Sequence, residues 1–212
     1  MTERTSHSDY IPGLGKHFLT PLYDVVHHVF KLDALHQEMI NLADLRDGQR
    51  VLDVGCATAN LLRTVGRQRP KVELVGLDPD PRALARGRRK ARRAGLDMRL
   101  DRGFAQELPY PEGSFDRVFS SLMLHHLDNP SKDALLAEVS RILRPDGQLI
   151  LADAVVDGHG HRGSRRMREQ MHDNVGDAVS RRIAAAGFTV EPTRMLTLGK
   201  RTKISIEVAR VS

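Results

Sequence analysis

Short runs of aliphatic residues alternate with stretches whose apolar positions recur every three to four residues along much of this 212-residue chain. That alternation predicts repeated strand–helix units and a mostly parallel sheet. Short runs rich in β-branched and aliphatic residues predict strands over 50–54 (RVLDV), 71–77 (KVELVGL), 97–100, 115–121 and 148–153. Helical spacing predicts helices over 60–68, 81–94 and 131–143. The last carries its stripe on Leu135, Leu136, Val139, Ile142 and Leu143, and Pro145 and Gly147 end it. Before the first strand, turn signals at Pro12-Gly13 and Pro21 precede an amphipathic stretch over 32–45. After the fifth, residues 157–174 are polar, rich in His and Arg and without strong period, which predicts a loop and helix over the sheet. Two closing strands, 189–195 and 204–211, are expected to form an edge hairpin. The fold class is therefore α/β, a doubly wound, mostly parallel seven-stranded sheet with an N-terminal helical lid. One domain is expected, divided into a lid (1–45), a core (46–156), an insertion (157–186) and edge strands (187–212).

Composition narrows the picture. Hydrophobic residues make up 40%, enough for a sizeable core, but aromatics only 4% with no Trp, so Leu, Val, Ile and Ala must fill it. No apolar run approaches the roughly 18 residues of a membrane helix. The polar opening, 1–10, lacks the apolar region of a secretory signal, and cytoplasm is the expected compartment. A single cysteine, Cys56, excludes an internal disulfide and a Cys-based zinc site. Much of the net charge of +6 sits between Arg82 and Arg102, with Arg86, Arg88, Arg89, Lys90, Arg92 and Arg93 between them. On a helix, Leu84, Gly87, Ala91 and Ala94 form the buried stripe and the basic residues face solvent. Such a face is either simply solvated or a patch for RNA or phosphate.

The chemistry begins at 51–60 (VLDVGCATAN). A buried strand carries an acid, Asp53, and small residues then turn the chain into a helix. Small residues let the backbone pass close to a ligand, and ligands of open α/β sheets bind beyond the carboxyl ends of the strands. About twenty residues on, Val75-Gly76-Leu77-Asp78 ends the second strand with another acid, able to accept both hydroxyls of a ribose. The spacing points to a nucleoside cofactor without saying which. A dinucleotide dehydrogenase shares this arrangement, but its G-x-G-x-x-G pattern is met only at Gly55, and no second mononucleotide half is visible.

Four further passages follow in order: 103–109 (GFAQELP), 113–118 (GSFDRV), 124–127 (LHHL) and 138–147 (EVSRILRPDG). With the first turn they resemble a class I S-adenosylmethionine-dependent methyltransferase of the UbiE-like small-molecule group, over about half of the chain. The resemblance implies a Rossmann-like methyltransferase fold, S-adenosylmethionine as cofactor and a small-molecule methyl acceptor. It places Asp53, Gly55, Cys56 and Ala57 around the methionine end, Asp78 at the ribose and Pro79 against the adenine. Phe104 and Ala105 border the other adenine face, Ser120 offers its carbonyl to the ammonium, and Tyr23 caps the methyl-transfer chamber or packs the lid. Two features depart from the family pattern. Ala57 and Ala59 stand where its turn has glycines, and alanine disfavours positive φ. Phe104 stands where many members read the adenine amine with an aspartate.

His125 and His126 fall where some such enzymes keep a base for a hydroxyl acceptor; otherwise one bonds the backbone and the other faces solvent. Asp157, His159, His161, His172 and Asp173 suggest a metal site only loosely, and no metal is expected. Asp153 stands where cation-dependent relatives have a metal aspartate, without recognisable partners. Arg162, Arg165, Arg166 and Arg168 are candidates to pair with an acidic acceptor or to face water. Nucleic acid is not expected as a partner, and the oligomeric state is not legible. The alternative is a non-catalytic or RNA-associated binding module on the same fold.

Overall fold

A computed structural model describes residues 32–155, 177–198 and 202–211. The expectations on Tyr23, on residues 1–31 and on 156–176, including the four arginines and the loose metal set, lie outside the described residues.

The chain runs α1 (Leu32–Leu42), β1 (Arg50–Val54), α2 (Asn60–Gln68), β2 (Glu73–Asp78), α3 (Pro81–Arg93), β3 (Arg99–Arg102) and β4 (Phe115–Ser121). A single 3-10 turn, Leu124–His126, leads to α4 (Asn129–Ile142) and the long β5 (Leu143–Val155). Then come α5 (Ala178–Ala185), β6 (Phe188–Val190), β7 (Arg194–Leu198) and β8 (Thr202–Val211). The sheet order is β3-β2-β1-β4-β5-β8-β6, with β7 also paired to β8. Strands β1 to β5 are parallel, and β8 runs antiparallel to β5.

Alternation along each strand sends neighbouring side chains to opposite faces. Val51, Phe119 and Ile150 join α1, α2 and Leu84 of α3 in one core, whereas Leu52, Val118 and Leu149 join α4 and α5 in the other. Each fully buried aliphatic side chain contributes about 1.5–3 kcal/mol, so both faces are secured without a single tryptophan. Two helix starts are fixed by capping. Asp80 accepts from the Arg82 N–H (2.8 Å) ahead of α3, and Asp128 from the Ser131 N–H (2.9 Å) ahead of α4. Both helices begin beside a proline, which needs no N–H there.

Because β1 is flanked by β2 and β4, the connections leave it in opposite directions. The resulting crevice, at the carboxyl ends of β1 and β4, is where such sheets bind ligands.

Four expectations change. Residues 189–195 are two strands rather than one, since Glu191-Pro192-Thr193 interrupts them and Pro192 has no N–H for a ladder; the sheet therefore has eight strands, not seven. The β7–β8 hairpin exists, but β8 lies inside the sheet between β5 and β6. The third strand starts two residues later than its apolar residues suggest. Within 32–45, α1 buries Leu35, Met39 and Ile40 in the core rather than lying over it. Among the described residues no helix is long and apolar enough to cross a membrane.

Candidate active site

The turn after β1 is built from alternate left-handed residues: Gly55 (φ 76°), Ala57 (φ 46°) and Ala59 (φ 59°). Such a backbone costs an L-residue about 1–2 kcal/mol, and tethers on either side hold it. The Gly55 and Cys56 N–H groups both donate to the Leu77 carbonyl (2.8 and 3.0 Å), and the Ala57 N–H donates to Asp78 Oδ2 (2.8 Å). From α3, Lys90 Nζ reaches Thr58 Oγ1 (2.9 Å) and Asn60 Oδ1 (3.0 Å). Lys90 therefore clamps the turn instead of joining the solvent face of the arginine-rich helix. The two alanines keep the three-bend shape that glycines would give.

Gly55 has a second constraint. A Cβ there would lie 2.4 Å from Met123 Cγ, so the segment leaving β4 rests directly on the glycine backbone. That segment is itself bent, with Leu122 at φ 54°. Strained residues of this kind cluster at functional sites.

Asp53 and Asp78 flank the turn. Asp53 is 3% exposed and has no hydrogen-bond or ion-pair partner among the described residues. Burial pushes its carboxyl up to about 8, and the charge of Asp78 adds to the rise. Asp78 is pushed up to about 6 by burial, against the Asp80 and Ala57 N–H groups that stabilise its ionised form. Each Asp78 oxygen accepts one backbone N–H, from Asp80 to Oδ1 and from Ala57 to Oδ2, both 2.8 Å. Each therefore retains a lone pair for a ligand hydroxyl. Pro79 and Phe104 are half-buried and Ala105 is buried, along the approach from β2 and the loop after β3. Cys56 is buried, and its thiol is held well above its ordinary value chiefly by burial. Ser120, on β4, is buried, and its Oγ has no hydrogen-bond partner among the described residues.

The two histidines occupy the 3-10 turn after β4. His125 donates its backbone N–H to Asp153 Oδ2 (2.8 Å), and its Nδ1 lies 2.5 Å from Asp153 Oδ1. Burial alone would lower its basicity, but the charge of Asp153 and this hydrogen bond outweigh burial and raise it, with Lys132 opposing. The His126 ring sits 4.2 Å from that of His125, tilted by 45°. Burial, and then the charge of His125, lower it to about 4, so it is neutral at ordinary pH.

The structure thus brings Asp53, Gly55, Cys56, Ala57, Asp78 and Pro79 together at the crevice, with Ser120 on the adjoining strand and His125 and His126 just beyond it. Three contributors were missed from sequence: Lys90, Met123, and Asp153 as a partner for histidine. Lys132 also escaped notice, although it is wholly buried and continues the stripe 135, 136, 139 one turn toward the start of α4. A lysine at helical spacing on an apolar face was the available signal. Among the described residues no group of three or more ligand-type side chains is placed to hold a metal ion.

A family model described as a methyltransferase domain matches residues 51–147, the stretch that builds this crevice. Those residues carry the chain's likeness to a class I methyltransferase domain. The cofactor of that family is S-adenosylmethionine. A demethylmenaquinone methyltransferase of Thermus thermophilus is 30% identical over 138 residues, 64% of this chain and 62% of that protein. This chain thus matches under two thirds of that relative's length. Among solved structures, an S-adenosylmethionine-dependent methyltransferase from Aquifex aeolicus superposes with a TM-score of 0.72 at 20% identity, covering 92% of this chain and 99% of that one. The [4+2]-cyclase SpnF superposes at 0.77 and 19% identity, covering 92% and 93%. Both structural likenesses establish the α/β methyltransferase fold.

Proposed function

We propose that this methyltransferase domain moves a methyl group from S-adenosylmethionine to a small-molecule acceptor, with His125 as the base. The carrying observation is Asp53: a buried carboxyl group with no partner among the described residues, beside a second acid, at the switch point of the sheet. An uncompensated buried charge is costly, and a cationic ligand removes the cost. S-adenosylmethionine fits, since it brings a positive amino acid end and a ribose, and when bound it supplies a methyl group activated by its sulfonium.

The residues divide that ligand among them. Asp53 faces the ammonium, directly or through water, and the Ser120 carbonyl adds a second acceptor. The close backbone at Gly55, Cys56 and Ala57 receives the methionine end. Asp78 accepts the ribose hydroxyls with its remaining lone pairs. Pro79, Phe104 and Ala105 enclose the adenine, with stacking on Phe104 in place of a carboxylate contact. His125, raised in basicity and mostly sheltered, removes the acceptor's proton. Positioning of the acceptor against the methyl group does most of the remaining work.

The likeness to a protein described as a [4+2]-cyclase favours a second reading, in which the same fold serves a role other than methyl transfer. Calorimetric titration with S-adenosylmethionine separates these readings. The proposal expects micromolar affinity, about −8 kcal/mol, a drop of tenfold or more in Asp78→Asn, and S-adenosylhomocysteine among the products with an acceptor panel. Tight binding with no turnover across that panel supports the second reading. Absence of binding overturns the proposal.

A further inference from the structure

The residue that opens α2 is Ala59, left-handed at φ 59° and ψ 37° and with no side-chain oxygen to cap the helix. Thr58 and Asn60, whose side chains do carry oxygens, stand on either side of it. Both meet α3 through one group: Lys90 Nζ lies 2.9 Å from Thr58 Oγ1 and 3.0 Å from Asn60 Oδ1. A single ammonium thus grips the residues before and after the bend.

The backbone of α3 comes against the same place. A Cβ on Gly87 would lie 3.3 Å from the Thr58 carbonyl carbon and 3.4 Å from Ala59 Cβ. Gly87 precedes Lys90 by three residues, so both belong to neighbouring positions on one side of the helix. The start of α3 is tied in as well. Its cap residue, Asp80, donates its N–H to Asp78 Oδ1, and Asp78 Oδ2 accepts the Ala57 N–H, both at 2.8 Å. Turn, second acid and helix therefore form a ring of contacts, and Lys90 closes it.

Left-handed backbone is strained for alanine, through its Cβ, and open to glycine. A glycine at 59 would take the bend unaided, whereas alanine needs a restraint from outside. We infer that Lys90 is a positioning residue for the cofactor, doing at Ala59 from another helix what a glycine would do locally. This rests on the reading that the turn receives S-adenosylmethionine, and it adds a residue that acts on that ligand only through the bend. The bend sets where the backbone of Gly55, Cys56 and Ala57 stands relative to Asp78. Lys90 is therefore required while residue 59 is alanine and dispensable once it is glycine.

The test is a double-substitution cycle on the full chain, read by calorimetric titration with S-adenosylmethionine and by melting temperature. Lys90→Met keeps a long unbranched side chain and removes the ammonium. With alanine at 59 it is expected to weaken cofactor binding about tenfold, in line with the loss of hydrogen bonds from a charged donor. With Ala59→Gly as the parent, the same substitution is expected to weaken binding less than about threefold. A lysine that only fastens α3 to its neighbours would lower the melting temperature equally in both parents and leave affinity in place, which overturns the inference. Equal affinity losses in both parents overturn it too, since the bend is then not what Lys90 serves. If Lys90→Met fails to fold, Lys90→Gln, which keeps a neutral donor, takes its place. A loss of about threefold confined to the alanine parent supports the inference, and equal behaviour in the two parents overturns it. A wild-type chain that binds no S-adenosylmethionine sinks the functional reading and this inference with it. Normal binding by both the wild type and Lys90→Met sinks the inference alone.

Discussion

Asp53 and Asp153 both sit near the carboxyl end of a central parallel strand, and both are at most 3% exposed. Their surroundings are opposite. Asp153, on the α4 face, is saturated by donors from His125 and Ala154. Asp53, beside the turn on β1, has no partner among the described residues, and burial drives its carboxyl up to about 8. The same side chain at equivalent places therefore does two jobs. The partnered acid acts on the protein's own histidine. The partnerless one is unstable in isolation and is completed by whatever cation enters the crevice.

The largest test of that contrast is Gly55→Ala. The added methyl meets Met123 Cγ at 2.4 Å on a backbone with φ 76°, so the turn must move away from Asp53. Cofactor affinity is expected to fall at least 100-fold, about 2.7 kcal/mol, with a melting temperature several degrees lower. Near-normal affinity by titration would mean that the turn does not carry the ligand.

Asp53→Asn should move two properties in opposite directions. The amide matches the protonated acid without its charge, so cofactor affinity falls about tenfold, worth one charge-assisted hydrogen bond. Stability of the ligand-free chain rises instead. A group whose folded pKa is raised contributes most at low pH and loses that contribution as pH climbs from the unfolded value, about 3.9, through about 8. Thermal melts should therefore separate variant and wild type progressively across that window, the asparagine form melting higher near pH 8. Coincident melts would show that Asp53 has a partner after all.

A smaller effect sharpens the account of the turn. Ala57→Gly and Ala59→Gly relieve left-handed alanines, while glycine loosens the unfolded chain by about 0.4–1 kcal/mol. Each substitution is expected to stabilise by up to about 1 kcal/mol, with little change in cofactor affinity. A loss of stability in chemical denaturation would show that the methyls pack more than they strain.

Much of this architecture was legible because burial on both faces leaves an unmistakable trace. RVLDV and FDRVFSS are short segments dense in buried apolar residues, and β1, α2 and β4 begin and end where the sequence places them. The acids at 53 and 78 were legible for the same reason, since a polar residue closing an apolar run stands out. The left-handed bends were not. Alanine at 57 and 59 and leucine at 122 argue locally against positive φ, and only tertiary tethers such as Lys90 impose it. The position of β8 was hidden differently. Ile204-Ser205-Ile206-Glu207-Val208 alternates like a half-exposed edge strand, yet Ser205 and Glu207 are buried, and Glu207 accepts from Thr193 Oγ1 at 2.8 Å. The pairing of His125 with Asp153 spans 28 residues, across α4 and most of β5, so no local pattern announces it.

The central claim is that Asp53 waits for a cation. Calorimetry of S-adenosylmethionine binding at pH 7, repeated in two buffers of different ionisation heat, tests it most directly. The account predicts net release of a proton on binding, as the entering positive charge ionises Asp53, and loss of that release in Asp53→Asn. Binding with identical proton exchange in both proteins would contradict it.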